Sequence, residues 1–339
     1  MDLPPSPARA FAPTPFHDGR FLLLEEIGRG GTGAIYKARD NGVEARAVCI
    51  KRLANPLRPE VAVSLRREAR LLSSVRHSHI VTLLGIGEEA GGPYLVLELI
   101  DGLDLAELGR RVIAPSDGVA ANAGQGILPD RLAVHVACAV LRGLGALARA
   151  VPGFVHQDIT PHNVLVSSEG EVKITDFGVA LAAGRPARRA DRVSGKAGYM
   201  SPEQIRGEPL DLRADLFAVG VLLYELLARR RPAQTSCGLV EELRLVERGD
   251  IEPLATHRPH LHTHLRHTVD RLLSPRRELR FASADIALQC LAPHGAGEIG
   301  SLRMAAIVQA LRTASTANDS PSRPRATVIA NAREDPDDA

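Results

Sequence analysis

The chain reads as an α+β protein, with a five-stranded, mostly antiparallel sheet plus one helix first and a mainly helical part after it. Three observations predict this. Short apolar or alternating runs, separated by glycine and turn residues, crowd the first hundred positions, as strands do. Beyond Asp101 the apolar spacing lengthens to that of helices. The length, 339 residues, suits one two-lobed domain or two modest ones.

Each element follows in order. Residues 1–19 hold five prolines and no periodic pattern, which predicts a disordered arm. Runs at 21–27, 34–38 and 45–51 predict three strands, the first ending in glycines. Apolar residues at 61, 65, 69, 72 and 75 predict a helix over 60–75. Two more strands are expected at 80–84 and 94–99, around the turn at 89–92. Small and turn residues over 114–125 predict a loop between helices. Long apolar helices are expected over 129–150 and 211–228, with weaker patterns at 238–248, 261–273 and 283–292. The domain expected over about 20–292 divides near residue 100 into a sheet-rich and a helical part. An extension over 293–339 would hold one helix at 299–312, then a polar, disordered tail from 313 with an acidic end.

Composition narrows the setting. A net charge of +2 gives no electrostatic reason to expect nucleic acid or an anionic membrane as partner. No uninterrupted apolar run approaches the roughly 18 residues of a membrane span, and residues 1–7 lack the pattern of a signal peptide. The four cysteines (49, 138, 237 and 290) lie far apart, reading as buried thiols of a reducing compartment; a cytoplasmic protein is expected. His257, His260, His262, His264 and His267 crowd together without fixed acidic or cysteine co-ligands, which reads as a surface loop and not a metal site. Only four lysines are present, Lys37, Lys51, Lys173 and Lys196, so each is a candidate for a specific role.

The chemistry concentrates in His156-Gln-Asp158-Ile-Thr160-Pro-His-Asn163 and, after a short hairpin, Asp176-Phe-Gly178. Two carboxylates and a carboxamide on neighbouring loops are what phosphoryl transfer uses: one carboxylate to orient a hydroxyl, an amide and a second carboxylate to hold magnesium. Upstream, Gly28, Gly30 and Gly33 join two strands, where missing Cβ atoms let backbone amides approach phosphate oxygens. That motif leads into a strand, which disfavours the dinucleotide fold. Lys51 closes the third strand, and Glu68 on the following helix is its expected ion-pair partner.

Taken together and in this order, the motifs resemble those of eukaryotic-type protein kinases of the bacterial serine/threonine class. The resemblance implies a two-lobed kinase fold, ATP and Mg2+ as cofactors, and proteins as substrates. No sensor domain is read in the sequence, so an upstream sensor protein is a further expected partner. The resemblance also implies Asp158 as the catalytic aspartate, Asn163 and Asp176 as metal ligands, and Lys51 with Glu68 as the pair that positions phosphates. Ser201-Pro-Glu203 matches the end of the activation segment, with Arg280 as the partner of Glu203, and Asp215 opens the long helix. The implied nucleotide site comprises Ile27, the three glycines, Ile35 and Cys49 above the ring and Leu165 below it. Leu97 would be the gatekeeper, Glu98 and Ile100 would pair with the adenine edge, and Asp104 would face the ribose.

Three departures from the family pattern carry separate expectations. Cys49 replaces the usual alanine; it reads as an apolar filler, though Lys51 on the same strand face could in principle depress its thiol pKa. Gln157 replaces the arginine that receives an activation-loop phosphate, so activity is expected without that phosphorylation; Ser194, amid Arg185, Arg188, Arg189 and Arg192, is the one hydroxyl of the segment 179–197. Thr160 replaces a lysine, and Lys196 stands where threonine is usual. The exchange suggests that Lys196 supplies charge to the γ-phosphate. Thr327, behind Arg323 and Arg325, is a candidate for autophosphorylation. The alternative reading is a pseudokinase, a nucleotide-binding scaffold or regulator; the activation segment disfavours a small-molecule phosphotransferase.

Overall fold

The computed structural model describes residues 12–30, 33–42, 45–53, 59–89, 91–113, 126–178, 181–182 and 195–318. The expected loop at 114–125, the arginines at 185–192, Ser194 and Thr327 lie outside them. Two compact units are formed. Among the described residues one holds 12–69 and 83–99, the other 70–82 and 100–318.

The first unit is a six-stranded antiparallel sheet in the order β1-β2-β3-β4-β6-β5, one strand more than the sequence predicts. Its strands are β1 (Thr14–Phe16), β2 (Phe21–Gly30), β3 (Gly33–Asp40), β4 (Arg46–Arg52), β5 (Leu83–Glu89) and β6 (Gly92–Glu98); helix α1 (Pro59–Ser73) follows β4. The extra strand β1 lies in the proline-rich segment expected to be disordered. It pairs Thr14 with Leu23 and Phe16 with Phe21, and the Phe16 ring meets Tyr94 edge-on at 4.9 Å. An aromatic anchor of this size offsets the ordering cost that composition alone suggested. The strand expected at 80–84 also starts later. Ile80 instead forms an isolated parallel bridge to Ile174 in the second unit's own fold.

Side-chain alternation sets what each face of the sheet does. Tyr36, Val48, Ile50, Tyr94 and Val96 join Phe16, Phe21 and Leu23 in one buried cluster. Odd-numbered positions of β4 point the other way. Cys49 pairs with Leu97 and Lys51 with Leu95, so Cys49, Lys51, Leu95 and Leu97 share the opposite face.

The second unit is helical around two small sheets. Strands β7 (Gly102–Asp104), β9 (Val164–Ser167) and β10 (Val172–Ile174) form one, in the order β10-β9-β7, and β8 (Phe154–Val155) pairs with β11 (Leu181–Ala182) in the other. At Gly102 a Cβ would sit 1.9 Å from the Val166 carbonyl oxygen, so only glycine permits β7 to lie on β9. The helices are α2 (Leu105–Ile113), α3 (Asp130–Ala150), α4 (Pro202–Ile205), α5 (Leu212–Ala228), α6 (Leu239–Arg248), α7 (Leu254–His257), α8 (Thr263–Leu272), α9 (Ala284–Leu291) and α10 (Gly300–Asn318). α3 and α5 are apolar nearly all round and are buried accordingly. α3 is long and apolar enough to cross a membrane, but most of it is buried inside this unit.

Three further expectations are corrected. The last helix runs to Asn318, past the expected start of the tail at 313; Met304 and Val308 in its first half are fully buried, and Thr313 Oγ1 donates to Gln309 O at 2.6 Å beyond them. The histidine run is not a loop: His257 ends α7, His262 caps α8 through His264 N–H, and His264 and His267 lie within α8. The thiols are not all buried. Cys49 and Cys138 are, whereas Cys237 is exposed and Cys290 partly so.

Candidate active site

In the first unit the glycine-rich segment lies at the β2–β3 corner. Gly28 follows a register shift opposite Ile35, and Gly30 pairs with Gly33. A Cβ on Gly33 would lie 2.2 Å from the Arg52 carbonyl oxygen, so the chain can close this corner only with glycine there. Ile27 and Ile35 on either strand are buried. On β4, Lys51 Nζ donates to both oxygens of Glu68 on α1, at 2.9 and 2.7 Å, with the two side chains 4% and 1% exposed. Two charges this deeply buried are tolerated only where each has a counter-charge, as here. Beside it, burial pushes the Cys49 thiol up to about 12, against the opposing pull of the Lys51 ammonium. The minor expectation of an activated thiol is therefore overturned: desolvation of the thiolate outweighs the neighbouring cation. Leu97 is buried on β6, and Glu98, opposite Val48, is partly exposed.

In the second unit the His156–Asn163 segment links β8 to β9 and ends in a 3-10 turn, Pro161–Asn163. Its first residues are held from α5. The buried Asp215 carboxylate accepts the His156 N–H at 2.7 Å and the Gln157 N–H at 2.8 Å. Burial pushes the Asp215 carboxyl up to about 7, against the lowering effect of these two donors. Gln157 adopts a left-handed conformation (φ 70°), as does Asp176 (φ 63°), a costly choice for residues with a Cβ.

Asn163 gathers the chemistry together. Its Nδ2 donates to Asp158 O and Asp158 Oδ2, each at 2.8 Å. Its Oδ1 is buried and has no hydrogen-bond partner among the described residues. Thr175 N–H donates to Asn163 O at 3.0 Å, so the residue before Asp176 is fixed beside Asn163. Phe177 is buried with its ring 4.8 Å from that of His156. A buried amide oxygen left without a donor is costly unless something else takes it. A magnesium ion fits the donor set, since it prefers oxygen ligands, needs few from protein, and draws the rest from water and phosphate. Among the described residues no group of three or more His, Cys, Asp or Glu could hold a metal by itself.

The remaining predicted residues fall as follows. Ile100 and Leu165 are buried in the second unit, and Leu165 pairs with Asp104 across β9 and β7. Asp104 Oδ1 accepts from Glu107 N–H at 2.6 Å, and its Oδ2 lies 3.6 Å from His162 Nδ1. It therefore also caps α2. Thr160 is buried with its Oγ1 unpartnered among the described residues. Lys196 has its backbone in a 3-10 turn, Gly195–Tyr199, and its side chain lies outside what is described.

Glu203 and Arg280 meet through two bonds of 2.6 and 2.9 Å, with side chains 2% and 0% exposed. The sequence reading missed Gln204, which completes a capping box with Ser201 and donates from Nε2 to Gln157 O at 3.0 Å. The Ser-x-x-Gln spacing of a capping box was the available signal for the first bond; nothing local foretells the second.

The residues 21–291 match the family model described as "Protein kinase domain", and the chain belongs to that family. Within it the chain is similar to bacterial serine/threonine kinases. It is 37% identical over 223 residues to a probable serine/threonine-protein kinase of Streptomyces coelicolor, covering 63% of this chain and 31% of that protein. Against the serine/threonine-protein kinase PknL of Mycobacterium tuberculosis it is 34% identical over 218 residues, 63% of this chain and 51% of the relative. Against the probable serine/threonine-protein kinase PknB of Lactococcus lactis the figures are 33% over 216 residues, 63% and 32%. The chain thus spans about a third to a half of the length of these curated relatives.

Proposed function

We propose that the chain transfers the γ-phosphate of ATP to serine or threonine hydroxyls of protein substrates, with magnesium. The observation that carries this reading is the Asn163 side chain, which clamps Asp158 with its amide nitrogen and keeps a buried oxygen, without a partner among the described residues, beside the segment leading to Asp176. Magnesium, when bound, would neutralise phosphate charge. Asn163 Oδ1 and the Asp176 carboxylate are its ligands in this reading. Asp158 orients the acceptor hydroxyl, held by the Asn163 amide. Lys51 positions phosphates and is itself held by Glu68. Gly28, Gly30 and Gly33 give phosphates access to backbone, while Ile27, Ile35, Cys49, Leu97, Glu98, Ile100, Asp104 and Leu165 make the nucleoside contacts. ATP as co-substrate fits a cytoplasmic setting, and an upstream sensor remains part of the proposal.

Two regulatory features belong to it. Gln157 cannot pair with a phosphate as arginine does, so turnover is independent of loop phosphorylation, and Ser194→Ala keeps its activity; a hundredfold loss in a folded protein contradicts this. Thr160 is buried and uncharged, which sends the charge for the γ-phosphate to Lys196; a Lys196→Met protein with full turnover contradicts that assignment. The whole reading is tested with labelled ATP and magnesium beside an Asp158→Ala control. Incorporation in the parent alone, recovered as phosphoserine or phosphothreonine, supports it. Nucleotide binding without transfer would favour the pseudokinase reading, which the missing lysine at Thr160 motivates.

A further inference from the structure

The left-handed residue before Asp158 has both its backbone polar groups taken from elsewhere in the second unit. The Gln157 N–H goes to Asp215 Oδ1 at 2.8 Å and the Gln157 carbonyl accepts from Gln204 Nε2 at 3.0 Å. That carbonyl belongs to the peptide plane whose N–H is that of Asp158, which donates to His156 Nδ1 at 3.3 Å. Whatever fixes the carbonyl therefore fixes the direction in which Asp158 leaves the chain. A strained conformation of this kind persists only where its surroundings over-determine it.

Gln204 is well placed to do this. It is 5% exposed and sits at the third position of α4, one residue after Glu203, whose carboxylate is locked to Arg280. Its Oε1 accepts from Ser201 N–H at 3.0 Å and from Ser201 Oγ at 3.1 Å, leaving the amide nitrogen turned to Gln157. A carboxamide accepts toward the cap and donates toward the carbonyl at every pH, whereas an ionised carboxylate can only accept. We propose that Gln204 is a positioning residue: it transmits the anchored end of the activation segment to the peptide that carries Asp158, by neutral hydrogen bonds that need no phosphate. This inference rests on the reading above that activity does not depend on loop phosphorylation, and it identifies what holds the loop instead.

The test compares the full-length parent with Gln204→Glu, Gln204→Met and Ser201→Ala. Turnover, KM for ATP, Tm and hydrogen exchange of the backbone over 156–160 are measured on each. Glutamate keeps the acceptor but, when ionised, turns a negative oxygen toward the carbonyl. Its kcat at pH 8 is expected to fall about tenfold or more, with KM for ATP within about twofold and faster exchange over 156–160. As pH is lowered toward 6 its activity relative to the parent rises, because a protonated carboxyl regains a donor. The charged groups on the neighbouring elements, Asp211, Asp215, Glu203 with Arg280, Asp158 and His156, are present in every variant, and Gln204→Met, which adds no charge, gives the pH dependence that they contribute without a new anion.

Gln204→Met loses turnover at every pH and carries the test if the glutamate variant does not fold. Ser201→Ala weakens the cap but leaves the bond to Gln157, so its Tm falls while kcat stays within about twofold of the parent. Turnover of Gln204→Met within about twofold of the parent overturns the proposal, as does an equal loss of turnover in Ser201→Ala. Ser194→Ala, run in parallel, separates the two readings: its inactivity sinks phosphate independence, whereas the Gln204 variants judge positioning. Should even the parent transfer no phosphate, the kinase reading fails and exchange decides alone. Faster exchange over 156–160 in Gln204→Met than in Ser201→Ala supports the positioning role, and equal rates overturn it.

Discussion

Arg280→Met should cost the second unit more stability than any surface charge could. The guanidinium is fully buried, makes two charge-assisted bonds to Glu203, donates from Nε to Ser274 O at 2.7 Å and from Nη1 to Arg213 O at 2.8 Å, and lies 4.9 Å over the Phe217 ring. Methionine fills part of the volume and leaves Glu203 buried without its counter-charge. Breaking a buried pair in this way costs about 3–5 kcal/mol. For a unit of this size each kcal/mol moves the midpoint by about 2–4 °C, so Tm should drop by roughly 6–20 °C. Thermal unfolding followed by circular dichroism measures it. The double variant Arg280→Met, Glu203→Leu should recover part of the loss, since no lone charge is then buried; the carbonyls of Ser274 and Arg213 stay unpaired and keep recovery incomplete. A single-variant loss below about 1 kcal/mol, or a double variant as unstable as the sum of the two singles, would show that Glu203 and Arg280 do not compensate one another's burial.

Two other outcomes follow from the environments described. Cys237, exposed, should react with iodoacetamide well before Cys49, whose buried thiol is pushed up to about 12; mass spectrometry of the native protein showing Cys49 labelled first would contradict that ordering. Asp215 titrates near 7 when folded, against 3.8 for the free group, so its contribution to stability is full below about pH 4 and is lost as pH rises through 7. The stability difference between the parent and Asp215→Asn should therefore shift against the parent between pH 4 and 7, as read from urea unfolding at several pH values. A difference that stays constant across that range contradicts it.

The fold class was legible because its two periodicities are segregated along the chain, and the Protein kinase domain match over residues 21–291 agrees with it. Long apolar patterns such as α3 and α5 announced themselves. What escaped were features that depend on a distant partner. β1 is ordered by Phe16 against Tyr94, seventy-eight positions on, and no local propensity reveals that. The end of α10 was misjudged because the residues after 312 are polar or small and carry no apolar spacing to mark a helix. In the candidate site, residue identities could be listed from motifs, and the Lys51–Glu68 and Glu203–Arg280 pairs appear as expected from them. The Cys49 environment was ambiguous in sequence because strand alternation places a cation beside the thiol but says nothing of burial depth. Gln204 was overlooked because its decisive contact reaches back forty-seven residues.

The proposed role of Asp158 is to act on the acceptor hydroxyl in phosphate transfer from ATP and not to hold the nucleotide. Its most direct test is single-turnover transfer from labelled ATP at saturating magnesium, by the parent and by Asp158→Asn, with nucleotide affinity measured on both. The variant should bind ATP within a few-fold of the parent and lose transfer by about a hundredfold or more. Equal transfer by the two proteins would contradict it.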